Sequence, residues 1–142
     1  AKIIAFDLND ELLTQFRLKA EQKGLLNQIE IFNGDILLPL PQNKQFDLVV
    51  TGGVLEHIDL EKAVKNLSQY VKSGGYFLNA GVKNNFIGNF VGKVWGIHTF
   101  PKERVIDAFA KHNLKLKNYL LLPLKYFFMR LVKEAYIFQN HD

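Results

Sequence analysis

Residues 46–58 read FDLVVTGGVLEHI, and residues 71–78 read VKSGGYFL. The first stretch has the pattern of a buried strand that ends in a glycine turn. The second predicts the end of a helix, a turn at Gly74 and Gly75, and another buried strand. One amphipathic helix fits between the two strands. The order strand, helix, strand predicts a parallel sheet with a right-handed crossover.

The helix between these strands has the clearest periodicity in the chain. Asp59 can cap its N-terminus through its side-chain oxygen. The apolar residues that follow recur at the i, i+3, i+4, i+7 spacing of a buried helix face. They are Leu60, Ala63, Val64, Leu67 and Val71.

The rest of the chain extends this pattern in both directions. Strands are predicted at residues 3–6, 29–32 and 47–51, and a helix capped by Asn9 should bury Leu12, Phe16 and Ala20. A third helix should begin at Pro101, bury Val105, Ile106, Phe109 and Ala110, and stop at Asn113. Residues 114–122 and 134–138 are predicted strands joined by an aromatic connection at residues 126–128. Residues 81–99 lack a clean period, which predicts a long irregular excursion.

Asp7 follows the first predicted strand directly. Open α/β sheets bind their ligands at the carboxyl ends of parallel strands. A carboxylate at that edge can accept hydrogen bonds from both hydroxyls of a ribose, and Leu8 would then lie along one face of an adenine. A simple cap or loop acid is the alternative interpretation.

Small residues follow the strand at residues 47–51. Thr51, Gly52 and Gly53 would let the backbone approach a cofactor closely, although a plain tight turn has the same composition. Asp35 occupies the turn after the second strand, in the same relation to its strand as Asp7, with Ile36 beside it.

In this order, these motifs resemble the class I S-adenosylmethionine-dependent methyltransferases. The resemblance covers almost the whole chain, through residues 2–13, 33–36, 46–58, 71–78 and 96–114. It implies a Rossmann-like α/β sheet, mostly parallel, into which an antiparallel C-terminal strand inserts. It also implies S-adenosylmethionine as cofactor, with Asp35 on the adenine amino group and Ile36 against the ring. The residues Thr51, Gly52 and Gly53 would face the methionine portion and the transferred methyl group.

Two histidines are candidate catalytic residues. His57 lies next to the glycine turn and can titrate near neutral pH, so it is a candidate general base or a residue that orients the loop. His98 precedes the late helix, where related enzymes often carry a Gly-His pair, and is a candidate on the acceptor side. His112 and His141 are predicted to be surface residues, and the four histidines show no metal-ligand spacing.

The start of the chain departs from the family pattern. Dinucleotide-type folds place the acid about 20 residues after a glycine-rich loop, whereas six residues precede Asp7. We therefore expect residues 1–142 to form one partial methyltransferase-like domain that lacks the first strand, the glycine loop and the first helix. Such a chain should bind the cofactor poorly by itself and could self-associate through an exposed sheet edge.

Composition narrows the remaining possibilities. The chain has no cysteine, which excludes disulfides, Cys-ligated zinc and a thiol nucleophile. Eighteen basic and fourteen acidic residues give a net charge of +4, and the scattered Lys and Arg do not indicate a nucleic-acid groove. The apolar stretch at 119–132 is interrupted by Pro123, Lys125 and Arg130, so no membrane span is expected. The expected compartment is the cytoplasm.

The sequence thus predicts methyl transfer to a small-molecule or lipid-like acceptor. A non-catalytic methyltransferase-like binding module and a nicotinamide-dependent Rossmann oxidoreductase are the alternatives. The apolar side chains crowded into residues 86–95, which include Trp95, could form a lid over an apolar acceptor. They could equally form a short helix that covers the sheet.

Overall fold

The computed structural model describes residues 2–41 and 44–142. The chain divides into two compact units, Ala1–Gln42 and Asn43–Asp142. The expectation of one domain over residues 1–142 stays a prediction.

The N-terminal unit consists of two parallel strands and the helix that connects them. Strand β1 (Ile3–Asp7) leads into helix α1 (Asp10–Gln22), and strand β2 (Ile29–Asn33) follows a short 3₁₀ turn. The two strands pair in register from Ile3 opposite Ile29 to Asp7 opposite Asn33. Their carboxyl ends therefore lie at the same edge of this two-stranded sheet.

Helix α1 begins as predicted, but its apolar face is largely exposed. The Asn9 side chain accepts hydrogen bonds from the backbone N–H groups of Glu11 and Leu12, which satisfies two donors at the helix start. Ala20 is buried, whereas Leu12 and Phe16 are exposed, so their prediction as core residues was wrong. Within this unit, α1 packs on a sheet of only two strands, which is too narrow to cover the full width of the apolar stripe.

The C-terminal unit is built on a four-stranded sheet with the order β3-β4-β6-β5. Strands β3 and β4 are parallel, and β6 is antiparallel to both of its neighbours. The insertion of an antiparallel last strand confirms the predicted fold class. The elements of this unit are β3 (Phe46–Gly52), α2 (Leu60–Ser68), β4 (Val71–Val82), α3 (Phe86–Trp95), α4 (Lys102–Ala110), β5 (Leu114–Leu121), α5 (Phe127–Val132) and β6 (Lys133–Asn140).

The paired glycines lie inside a strand and not in a turn before it. Helix α2 is capped by Asp59 and ends at Ser68, so Val71 belongs to β4, where it pairs with Phe46. The pairing shifts register between Phe46 and Leu48, and Gly74 has φ +71° opposite this irregularity. A left-handed residue at a bulge is a conformation that favours glycine. The sequence therefore revealed the strand but placed its start too late.

Aromatic packing forms the centre of the C-terminal unit. The ring of Phe109 in α4 stacks on Phe138 at a centroid distance of 4.0 Å and meets Phe77 edge-on at 4.8 Å. All three side chains are fully buried. Helices α2 and α4 also pack against each other, which closes this side of the sheet.

Several details of the later elements differ from the sequence prediction. Helix α4 ends at Ala110, and Asn113 adopts the expected left-handed conformation, with φ +60°, in the turn that follows the helix. Ala108 is buried in α4, whereas Ala110, which was predicted to be buried, is exposed. Residues 86–95, predicted as part of an irregular excursion, form α3, and α5 lies in the aromatic connection before β6. No helix in the described part of the chain is long and apolar enough to cross a membrane.

Candidate functional site

The two predicted cofactor acids follow neighbouring strands of the N-terminal unit. Asp7 is the last residue of β1, and Asp35 comes two residues after the end of β2. The backbone N–H of Gly34 donates to the carbonyl oxygen of Asp7 at 3.1 Å, which joins the two strand ends. Both acids are half-buried. The structure therefore brings these predicted residues to one edge of one sheet.

Each acid is oriented by a hydrogen bond to the backbone two residues further on. The Oδ1 atom of Asp7 accepts from Asn9 N at 2.9 Å, and Oδ1 of Asp35 accepts from Leu37 N at 2.8 Å. Since a carboxylate offers about four lone-pair sites, one such bond leaves each group able to accept donors from a ligand. Two acceptor-only groups at a strand edge suit ribose hydroxyls and an exocyclic amine.

The apolar residues beside the acids differ in their exposure. Ile36 is buried and Leu8 is largely exposed. Between the strand ends, Gly34 lies against the stacked rings of Phe6 and Phe32, and a Cβ at Gly34 would come within 2.9 Å of the Phe32 ring. A larger residue at this position would displace the ring, so glycine keeps the two strand ends close together.

The Thr51-Gly52-Gly53 segment ends β3 in the C-terminal unit. The buried Thr51 hydroxyl donates to Oδ1 of Asn79 at 2.9 Å, so this hydroxyl already has a protein partner. Gly53 adopts φ +68°, and its N–H donates to the carbonyl of Ala80 at 2.8 Å. A Cβ at Gly52 would meet no heavy atom within 4 Å. The segment is therefore a fixed turn with open space at its glycines.

Glu56 is a buried acid that the sequence reasoning missed. It follows the glycine turn in the short 3₁₀ helix Leu55–His57. Its Oε1 accepts from Val82 N at 2.6 Å, and its backbone carbonyl accepts from His98 N at 2.8 Å. Glu56 thereby ties three segments together: the turn after β3, the end of β4 and the approach to α4. The signal in the sequence was a single acid in the segment 54–58, which is otherwise apolar except for His57.

A polar cluster surrounds a small cavity beside Glu56. The second oxygen of Glu56, Oε2, is buried and makes no hydrogen bond within the described residues. Asn79, Glu134 and Tyr136 line the same cavity, whose volume of about 10 Å³ is at the lower limit for holding one water. The hydroxyls of Tyr119 and Tyr136 both donate to the Glu134 carboxylate.

The two tyrosines of this cluster remain protonated donors. Burial, reinforced by the hydrogen bond to Glu134, raises the pKa of Tyr119 and of Tyr136 well above the usual range. Deprotonation would place a phenolate beside a carboxylate in a poorly solvated site. Both hydroxyls therefore keep their protons through the neutral pH range.

The two candidate histidines occupy different surroundings. His57 is exposed at the end of its 3₁₀ helix. His98 is also exposed and lines an open groove of about 340 Å³, together with Asp59, Phe100 and Arg104. Arg104 is held by Glu61 at 3.2 Å. The roles proposed for the two histidines stay predictions, and His98 has the position open to a ligand.

The described residues contain no group of three or more His, Cys, Asp or Glu side chains that could hold a metal ion.

Glu56→Leu should lower the free energy of unfolding by about 1–3 kcal/mol, because the buried N–H of Val82 loses its acceptor. Glu56→Gln should cost less, since its amide oxygen can still accept from Val82 N. Urea denaturation of both variants would measure the difference. Equal stabilities for the Leu and Gln variants would show that the bond to Val82 does not stabilise the fold.

Comparison with known proteins places this geometry in a family. The family model described as a methyltransferase domain matches residues 1–79, more than half of the chain. The chain belongs to the methyltransferase domain family. The cofactor of this family is S-adenosylmethionine, which confirms the cofactor predicted from the sequence. The family also argues against the nicotinamide-dependent alternative.

One curated relative matches just over half of the chain. The chain is 28% identical over 78 residues to the ubiquinone/menaquinone biosynthesis C-methyltransferase UbiE of Cronobacter sakazakii, a match covering 54% of this chain and 31% of the relative. It thus spans about a third of that relative's length.

The solved structures are similar in fold over nearly the whole chain. Geranyl diphosphate C-methyltransferase from Streptomyces coelicolor A3(2) has a TM-score of 0.84 at 10% identity, covering 99% of this chain and 63% of that one. The N-methyltransferase NodS from Bradyrhizobium japonicum WM9, in complex with S-adenosyl-L-homocysteine, has a TM-score of 0.76 at 16% identity, covering 99% and 67%. At these identities, the likeness establishes the Rossmann-like methyltransferase fold.

Proposed function

We propose that this protein transfers a methyl group from S-adenosylmethionine to a small-molecule or lipid-like acceptor. The observation that carries the proposal is the position of Asp7 and Asp35 at the carboxyl ends of two paired parallel strands. Membership of the methyltransferase domain family supports the same reaction.

The N-terminal unit supplies the adenosine-binding groups in this proposal. The Asp7 carboxylate accepts hydrogen bonds from the ribose hydroxyls, and the Asp35 carboxylate accepts one from the adenine amino group. Ile36 and Leu8 provide apolar contacts to the base. The chemistry fits, because hydroxyls and an amine are donors and the two carboxylates are acceptors already oriented by Asn9 N and Leu37 N.

The C-terminal unit supplies a small, fixed turn at residues 51–53. When bound, S-adenosylmethionine supplies an electrophilic methyl group carried on a sulfonium sulfur. Methyl transfer depends on in-line positioning of the reactants and on exclusion of water. Gly52 and Gly53 allow close approach of a ligand to the backbone, while the Gly53 N–H bond to Ala80 and the Thr51 bond to Asn79 keep the turn in place.

An acceptor that loses a proton on methylation needs a base or an exit route to water. We assign this role to His98, which lies in the open groove of the C-terminal unit. His57 is the second candidate, because it directly follows Glu56 after the glycine turn.

A lipid-like acceptor is supported by what the similar proteins are named for. The curated relative is named for ubiquinone/menaquinone biosynthesis, and the Streptomyces enzyme was solved with geranyl diphosphate. The proposed acceptor class for this protein therefore includes molecules with an apolar chain.

Self-association through a sheet edge is also a proposal. Strand β3 is the first strand in the order of its sheet, and Leu48 and Val50 on this strand are exposed. Edge strands with exposed apolar side chains can pair with another copy.

Methyl transfer is tested with the protein as its gene encodes it, including any segment upstream of residue 1. Methyl-labelled S-adenosylmethionine would be incubated with quinone precursors, prenyl diphosphates and short-chain lipids, and the labelled product would be extracted. We expect acceptor-dependent label transfer that is lost when His98 is replaced by Ala. Binding of S-adenosylhomocysteine without transfer to any acceptor of the panel would instead indicate a non-catalytic binding module.

A further inference from the structure

Helix α3 (Phe86–Trp95) packs through its smallest residues. Gly88 and Gly92, four residues apart, are its buried positions. A Cβ at Gly88 would overlap the carbonyl oxygen of Lys83, and a Cβ at Gly92 would come within 3.1 Å of the Ile97 carbonyl oxygen. The glycine face of α3 is therefore the side that packs against the flanking segments, residues 83–85 and 97–99.

The large apolar side chains of α3 point away from this packed side. Phe86 is 89% exposed, Phe90 and Val94 are each 65% exposed, and Trp95 is 62% exposed. The first three recur at four-residue spacing and share one helix face. An ordinary surface helix buries such residues, whereas α3 leaves them exposed along with its polar residues Asn89 and Lys93.

This orientation is fixed at both ends of the helix. The Asn85 side chain caps the start by accepting from Gly88 N at 2.7 Å. Gly96 ends the helix with φ +66°, and Ile97 N donates to the carbonyl of Gly92 at 2.9 Å. Rotation of α3 to bury its Phe residues would break these bonds and press a Cβ-bearing face against Lys83.

Helix α5 adds a second exposed apolar group next to α3. The two helices pack together, and Asn85 Nδ2 donates to the carbonyl of Leu131 at 3.0 Å. Leu124, Phe127, Phe128 and Met129 are all exposed by at least half. We call the exposed apolar side chains of α3 together with these four residues the α3–α5 surface.

The charged residues in the segments that carry the α3–α5 surface are all basic. Residues 62–102 and 108–133 contain no Asp or Glu. Lys93 on α3 and Lys125 just before α5 are exposed. Exposed Phe and Trp flanked by Lys, without acidic residues, is the composition of segments that insert shallowly into anionic bilayers.

We propose that the α3–α5 surface docks this protein onto an anionic phospholipid membrane. Phe86, Phe90, Trp95 and Phe128 enter the boundary between headgroups and acyl chains, while Lys93 and Lys125 contact lipid phosphates. A second copy of the chain fits this surface less well. In a two-fold dimer, the surface would meet itself, and its lysines would face lysines with no acid in these segments to pair with them. The proposal does not depend on methyl transfer.

Vesicle binding tests the proposal without any activity measurement. Trp95 is the only tryptophan among residues 1–142 and lies on this surface, so the emission that disappears in a Trp95→Phe variant reports directly on it. Phosphatidylcholine vesicles with about 30% phosphatidylglycerol should shift the emission to the blue and sediment the protein. Brominated acyl chains should quench the same emission, and pure phosphatidylcholine vesicles should bind far less.

Matched variants separate apolar insertion from charge. Phe86→Ala/Phe90→Ala/Phe128→Ala should lower partitioning into anionic vesicles at least tenfold. The control Leu12→Ala/Phe16→Ala/Leu18→Ala, which removes three exposed apolar side chains from α1, should leave this partitioning unchanged.

Lys93→Glu/Lys125→Glu should weaken binding to anionic vesicles by about 25-fold or more. The control Lys65→Glu/Lys115→Glu, with the same change in net charge, should weaken it much less. Circular dichroism would confirm that each variant is folded.

Three results would overturn the proposal. The first is the absence of any Trp95 shift or sedimentation with anionic vesicles. The second is equal binding by the Lys93/Lys125 variant and its charge-matched control. The third is a concentration-dependent dimer, seen by sedimentation, that is lost in the triple Phe variant and does not bind vesicles; that outcome would assign the surface to a second copy.

Discussion

Phe109→Ala should lower the free energy of unfolding by about 3–5 kcal/mol, the usual range for removing a large buried aromatic side chain. The Phe109 ring is fully buried and contacts both Phe77 on β4 and Phe138 on β6 of the four-stranded sheet. Its loss leaves a cavity where α4 meets the sheet. The shift in the midpoint of urea denaturation would measure the effect.

Phe128→Ala is the matched control for this prediction. The same atoms are removed, but Phe128 is 83% exposed and contributes little to the packed interior. Its effect on stability should stay within about 0.5 kcal/mol. If the two variants unfolded at the same urea concentration, the aromatic cluster could not be the core of the C-terminal unit.

Asp7→Ala should weaken the binding of S-adenosylhomocysteine by about 1.5–3 kcal/mol, the range for hydrogen bonds to a charged group. This loss corresponds to about a 10- to 150-fold rise in Kd. Asp7 also accepts from Asn9 N at the start of α1, so Asp7→Asn, which keeps an acceptor oxygen, should fall between Ala and wild type. Isothermal titration calorimetry with the protein as its gene encodes it would measure all three affinities.

Glu21→Ala provides the control for Asp7, because it removes an exposed carboxylate of the same unit away from the strand ends. Its affinity for S-adenosylhomocysteine should match that of wild type. Unchanged affinity in Asp7→Ala would remove Asp7 from the cofactor site and leave the local bond to Asn9 as its role.

The features predicted correctly are those set by local rules. Asn9 and Asp59 cap helices because a short acceptor side chain precedes an amphipathic stretch. Asn113 adopts the left-handed conformation that its residue type tolerates, in the turn after α4. The positions of Asp7 and Asp35 were predicted from the ends of β1 and β2, where the sequence changes from apolar to polar residues.

The errors arose where packing overrides the local pattern. The Gly74-Gly75 pair looks like a turn, but pairing with β3 extends the strand through it as a bulge. Residues 86–95 lacked an amphipathic period with an apolar core face, because α3 buries glycines and exposes Phe. Glu56 was missed since its partner, the N–H of Val82, lies 26 residues along the chain.

The most direct test of the central claim compares two ligands on the same protein. Titration of the gene-encoded protein with S-adenosylhomocysteine should give a saturable isotherm that Asp7→Ala weakens, and NADH should give none. Saturation by NADH, with no binding of S-adenosylhomocysteine, would contradict the proposal that this protein transfers methyl groups from S-adenosylmethionine.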